Sequence, residues 1–190
     1  MKKYSKETKI WLTSDLHFWH NRQFIYKPRG FDSIEEMNET LIANFNEVVG
    51  PDDIVYILGD LTLGDHEAGK QCLMRLNGNI HVILGNHDTD NRVKIYQDLG
   101  WTVSYAELIH WGPYHFFLSH FPCITSNLEK ESLKQCTLNL YGHTHQKTNF
   151  FNDMPFMYHV GVDSHENYPV SLDEIVNDMK NEVERCLDFL

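Results

Sequence analysis

Short apolar runs that stop at a glycine, and pass at once to a side chain able to bind a cation or move a proton, recur along this chain. That recurrence limits what it can fold into. Asn79-Ile80-His81-Val82-Ile83-Leu84 reads as a buried strand and leads into Gly85-Asn86-His87-Asp88. The glycine lets the backbone turn sharply. An amide oxygen can ligate a hard or borderline cation, an imidazole can shuttle a proton, and a carboxylate can fix the imidazole's tautomer. Alone, the tetrapeptide reads equally well as a polar turn. The pattern returns where Asp53 to Leu58 meets Gly59-Asp60, and where Thr137 to Tyr141 meets Gly142-His143-Thr144-His145. Lys9 to Ser14 is another strand, running into Asp15-Leu16-His17. In an extended segment, that D-x-H spacing sends carboxylate and imidazole to one side. His120 follows the aromatic run Tyr114 to Ser119.

Between the strands the period changes. Ser33 caps a helix, with Glu36 placed as its capping-box partner and Ile34, Met37, Leu41, Ile42, Phe45 and Val48-Val49 on one face. Gly50-Pro51 ends it. Asp65 to Leu76 is a second helical stretch. Strand, helix, strand, helix, strand argues for parallel strands with crossover helices. In open sheets of that kind ligands collect beyond the carboxyl ends, so Asp15, His17, Asp60, Asn86 and His87 share one edge. Asn91 to Leu99 predicts a short helix. After Gly100, the runs Trp101 to Tyr105, Leu108 to Trp111 and Tyr114 to Ser119 are β-prone with tight turns, which gives an antiparallel second half. Phe121 to Gln135 reads as a loop plus a charged helix, Phe156 to Val160 as the last strand and Ser171 to Leu187 as a closing helix. With no repeat or linker, one domain over 1–190 without a separate cap is the expectation.

Composition excludes several classes. No apolar run approaches the roughly 20 residues that span a bilayer, and Ile10-Trp11-Leu12 is too short for a signal core, so a cytoplasmic protein without membrane contact is expected. The four cysteines form no C-x-x-C pair, which leaves neither a thiolate zinc site nor a disulfide framework. A formal net charge of -11 repels nucleic-acid backbones, so a long duplex is not an expected partner.

Taken together, D-x-H at Asp15 and His17, G-D at Asp60, G-N-H-D at Asn86 to Asp88, His120, and G-H-x-H at His143 and His145 form a specific order of strand exits. In this the chain resembles the calcineurin-like metallophosphoesterases from Lys9 to about Leu172, with Ser14 to Asn21 and Val162 to Ile175 similar to a small bacterial and phage branch. The resemblance implies an α/β fold of two packed mixed β-sheets flanked by helices, a four-layer α/β/β/α sandwich. It implies that Asp15, His17 and His145 hold one divalent metal, Asn86, His120 and His143 a second, and that Asp60 bridges them. Two cations about 3.5–4 Å apart can share a hydroxide that attacks phosphorus. The nitrogen and oxygen donors suit manganese, and equally iron, zinc, nickel or cobalt. His87 would protonate the leaving oxygen, and Asp88 would orient it.

His20 and Arg29 are candidate substrate contacts, the latter through a bidentate phosphate pair. His66, His81, His110, His115, His159 and His165 read as ordinary core or surface residues. The activity implied is phosphoester hydrolysis, with phosphodiesters, nucleotides or small phosphoesters favoured by an uncapped cleft. The alternatives are a catalytically idle interaction scaffold, which usually lacks some of these side chains, and a nuclease acting on short single strands. Oligomeric state is not legible.

Overall fold

The computed structural model describes residues 1–126, 132–152 and 154–187. Its strands are β1 (Lys2–Tyr4), β2 (Ile10–Thr13), β3 (Ile54–Ile57), β4 (Asn79–Ile83), β5 (Thr102–Ser104), β6 (Ala106–Trp111), β7 (Tyr114–Ser119), β8 (Thr137–Tyr141), β9 (Phe150–Phe151), β10 (Met154–His159) and β11 (Val170–Ser171). Its α-helices are α1 (Gln23–Tyr26), α2 (Ile34–Val48), α3 (His66–Leu73), α4 (Asp90–Asp98) and α5 (Leu172–Leu187).

Two mixed sheets result. In one, the order is β11-β2-β3-β4-β5, with β2 to β5 parallel and β11 antiparallel on β2. The helices between β2 and β4 are the crossovers that parallel pairing demands. In the other, the order is β1-β6-β7-β8-β10-β9. Here β6 and β7 form the expected hairpin, but β7, β8 and β10 run parallel to one another. The second half is therefore mixed rather than antiparallel, because the long excursions between its later strands return the chain in the same direction.

Side-chain alternation sorts the core into two layers. Tyr56 and Leu58 face the second sheet, where they pack with Phe116, Leu118, Leu138, Leu140 and Tyr158. Val55 and Ile57, the residues between, face Met37, Leu41 and Phe45 of α2 and Leu73 of α3. Being buried on both faces is why this strand is a continuous apolar run. Tyr4 of the short edge strand β1 meets Tyr56 across the two sheets, hydroxyl to hydroxyl at 2.7 Å. The amphipathic α5 lays Ile175, Val176 and Met179 into the same inter-sheet core.

Local signals are honoured with small shifts. Ser33 Oγ accepts from Glu36 N at 3.1 Å, and the Glu36 carboxylate takes Asp32 N at 2.7 Å, one residue before the cap. α3 stops at Leu73 and not Leu76, and part of the loop read from Asn21 to Asp32 is the single turn α1. The charged helix read before Gln135 falls largely on 127–131, outside the described residues; Leu133–Gln135 is one 3₁₀ turn. No helix among the described residues is long and apolar enough to cross a membrane.

Phe116 is fully buried between the sheets. Phe116→Ala is expected to lower unfolding free energy by about 3–5 kcal/mol, read as an earlier urea midpoint at unchanged slope. A loss under about 1 kcal/mol would mean that the inter-sheet layer is not the core.

Candidate metal centre and active site

The strand exits converge at one rim. Past β2 and β3 the pairing continues through the loops: Asp15 N donates to Gly59 O, His17 N to Asp60 O and Phe18 N to Leu61 O, each at 3.0 Å. The segment is not extended, however. Asp15, His17 and Trp19 have φ of 57°, 51° and 61°, and Asp60, His143 and His145 have 56°, 68° and 49°. These side chains reach one point through repeated left-handed kinks, not through the pleat that D-x-H spacing suggested. Each such non-glycine residue costs about 1–3 kcal/mol of backbone strain, which clusters where geometry serves function.

Close approach explains two of the glycines. A Cβ at Gly85 would lie 2.2 Å from Asp60 Oδ1, and one at Gly142 would lie 2.6 Å from Asp15 Oδ2. Any side chain there would push a carboxylate out of the cluster.

The donors form two overlapping groups. Asp15, His17 and His145 present ligand atoms within 4.8 Å of one another, as do Asp15, Asp60 and His120. His17 Nε2 lies 3.2 Å from His145 Nε2. On the other side His120 Nε2 lies 3.0 Å from Asn86 Oδ1 and 3.2 Å from His143 Nδ1. Asp15 belongs to both groups, and Asp60 Oδ2 lies 3.8 Å from His17 Nε2 and 3.6 Å from His120 Nε2, near donors on each side. All seven residues proposed as ligands from the sequence are thus together.

The surroundings favour cation binding. Asp15 Oδ1 is buried and without a hydrogen-bond partner, an expensive state for a carboxylate oxygen unless a cation meets it. His120 Nδ1–H donates to Leu58 O at 2.8 Å, which turns the Nε2 lone pair toward the cluster. Burial, followed by the charge of Arg29, holds His17 well below its ordinary pKa, and burial lowers His143 as well, which favours the neutral imidazole that ligation requires. Burial pushes the Asp60 carboxyl upward. A donor set of carboxylate, imidazole and amide fits a divalent transition ion.

His87 sits at the edge of the cluster, partly exposed, with Nε2 3.9 Å from Asp60 Oδ2. Its backbone N donates to Asp60 Oδ1 at 2.9 Å, which fixes its place. Asp88 does not orient the ring as the sequence suggested. Its Oδ2 accepts from Asp60 N at 2.9 Å and Gly85 N at 2.8 Å, and its Oδ1 accepts from Tyr96 Oη at 2.7 Å. One oxygen thus staples the exits of β3 and β4, and the other is taken by Tyr96 of α4. His20 stands behind His17, their ring centres 5.2 Å apart, and lines the cleft beside the cluster.

Arg29 corrects a second expectation. Its side chain is 1% exposed and is no phosphate contact. Nε and Nη2 grip Asp163 at 3.1 and 2.8 Å, and Nη2 and Nη1 donate to the carbonyls of Asp15 at 2.8 Å and Leu16 at 3.3 Å. Asp163 in turn accepts from His145 Nδ1–H at 2.8 Å. Burial would raise the Asp163 carboxyl, but the His145 hydrogen bond and the Arg29 charge hold it well below the carboxylate range. Sequence reasoning missed Asp163, although Gly161-Val162-Asp163 after the last strand repeats the glycine-then-ligand signature. Of the other histidines, His159 Nδ1 pairs with Ser164 Oγ at 2.8 Å, His110 and His115 meet across the hairpin at 3.0 Å, and His66 is exposed on α3.

A doubly sheeted α/β fold with buried carboxylates and imidazoles converging at one rim defines a metal-dependent hydrolase class, and the sequence matches the calcineurin-like phosphoesterase family over residues 8–184. The chain belongs to that family and is a phosphoesterase, an enzyme of a kind that works with divalent metal ions. Among its relatives, MJ1445 of Methanocaldococcus jannaschii is 37% identical over 179 residues, covering 88% of this chain and 89% of its own. The gene 66 protein of Mycobacterium phage D29 is 30% identical over 205 residues, covering 94% of this chain and 98% of its own. AQ665 of Aquifex aeolicus, a protein of unknown function, has the same fold, with a TM-score of 0.68 at 23% identity over 90% of this chain and 99% of that one.

Asp163→Asn keeps the shape but removes the charge that holds His145. It is expected to weaken divalent-ion binding by about 10–100-fold in a calorimetric titration, with the fold intact. Unchanged affinity would reduce Asp163 to a structural partner of Arg29.

Proposed function

We propose that the cluster holds two divalent transition-metal ions and that the protein hydrolyses small phosphoesters: phosphodiesters, nucleotides or simple esters. Asp15, His17 and His145 bind one ion, Asn86, His120 and His143 the other, and Asp60 serves both. The observation that carries this reading is the proximity of Asp60 Oδ2 to both His17 Nε2 and His120 Nε2, at 3.8 and 3.6 Å. Manganese is the ion we would supply first, since the donors are nitrogen and oxygen only.

When bound, such a pair supplies a water-derived nucleophile at neutral pH and neutralises the phosphoryl oxygens. The protein supplies the rest. Asp15 and Asp60 are held by one oxygen each, through Ser14 Oγ and His143 N on the first and His87 N on the second, so the other oxygen is aimed without reorganisation. His87, partly exposed at the edge of the cluster, donates a proton from Nε2 to the departing oxygen. Presence of the full donor set together with His87 favours an enzyme over an idle scaffold.

Asp60→Ala is expected to abolish hydrolysis of a chromogenic phosphodiester and to lower metal content from two ions per chain. Two ions retained by that variant would refute the shared ligand. His87→Ala is expected to keep both ions while slowing turnover by about 10²–10⁴-fold on an ester with a poor leaving group. An unchanged rate there would exclude the proton donor.

A further inference from the structure

Beside the donor cluster lies a cleft of about 550 Å³, a volume in the range that holds a small organic ligand. It shares His17, His145 and His87 with the cluster, so a group that fills it lies directly beside the donors. Its other walls are unlike the rim. They include the apolar Phe24, Ile25 and Pro28, with His20 between them and the cluster histidines, and the charged pair Lys147 and Asp163.

Phe24 is the telling residue. Its ring is 70% exposed, although the chain buries most of its large apolar side chains. It belongs to the single turn α1, whose next two residues, Ile25 and Tyr26, are buried and anchor it. The His20 ring packs against it near-perpendicularly, at 5.7 Å and 87°, which limits its swing. A single exposed apolar side chain is ordinary, but this one lines the cleft that the donor cluster opens into, together with Ile25 and Pro28.

Charge on the wall points the same way. Among the described residues lining the cleft, Lys147 is the one ammonium or guanidinium. Its Nζ already lies 3.5 Å from Asp163 Oδ1 and 3.4 Å from Pro28 O. The cleft therefore has little to offer a second phosphate and much to offer a flat apolar group.

Resting on the hydrolase reading above, we propose that Phe24 determines specificity: it is the platform on which the substrate's leaving group, an aromatic ring or nucleobase, stacks inside this cleft. His87 lines the same cleft, so the proton it gives and the group that departs are on one side.

The test uses the full chain loaded with manganese and two ligands with the same head group, phenylphosphonate and methylphosphonate, titrated by calorimetry. Phenylphosphonate is expected to bind about tenfold tighter, the gain typical of stacking on an aromatic side chain. In Phe24→Ala that ratio should fall toward one, and in Phe24→Tyr it should persist. Equal affinities in the unaltered protein, or a ratio that survives Phe24→Ala, would overturn the proposal while leaving hydrolysis untouched. If neither phosphonate binds a chain that still carries its metal, the reading as a hydrolase of small phosphoesters fails, and this inference with it.

Discussion

Two carboxylates buried where strand ends touch, Asp15 and Asp60, are the constraint around which the rest is built. Asp15 is 0% and Asp60 2% exposed, and isolated buried carboxylates are costly. The fold compensates half of each. Asp15 Oδ2 accepts from Ser14 Oγ at 2.6 Å and His143 N at 2.9 Å, and Asp60 Oδ1 accepts from His87 N at 2.9 Å. The remaining oxygen of each faces imidazole nitrogens, at 3.8 and 4.0 Å for Asp15 and between 3.6 and 3.9 Å for Asp60. One oxygen is therefore held by the fold and the other is presented for binding. That division follows from backbone N–H groups released where the strands end, which is why the cluster sits there and nowhere else along the sheets.

The cluster also spans both sheets. Asp15, His17, Asp60, Asn86 and His87 leave β2, β3 and β4, whereas His120, His143 and His145 leave β7 and β8. The spacing between the two donor groups is thus set by how the sheets pack, through side chains such as Tyr56, Leu58, Phe116 and Leu140. Cores of this density transmit displacement and do not absorb it. Substitutions deep between the sheets would act on the site through distance, while the left-handed kinks at the rim draw on stability that the same core provides.

Much of this was legible in one dimension because strand exits are local in sequence. A run that ends in glycine followed by Asp, Asn or His places its ligand by its own turn, and the alternation of helix and strand then stacks those turns on one edge. Contacts that exist only in three dimensions were not legible. Arg29 sits in a polar loop whose composition reads as solvated, and only the return of the chain at Asp163 buries it. Asp88 neighbours His87 in sequence, but Tyr96 Oη and the backbone of a different exit, that of β3, take its oxygens. The short strands β1, β9 and β11 carry too few residues for any period, and the parallel pairing of β7 with β8 depends on an excursion whose path no local pattern encodes.

A phosphoester carries charge that something must meet, and among the described residues Arg29 and Lys147 beside this cluster are already engaged. Arg29 is turned inward and committed to Asp163 and two carbonyls. Lys147 shares the same Asp163 from the other side. His17 and His143 are kept neutral by burial. With a formal net charge of -11 over the whole chain, the long-range field opposes an anion as well. A site lined this way would repel its own substrate unless divalent ions reversed the local sign. The phosphoryl charge is thus left to the divalent metal ions with which this family works.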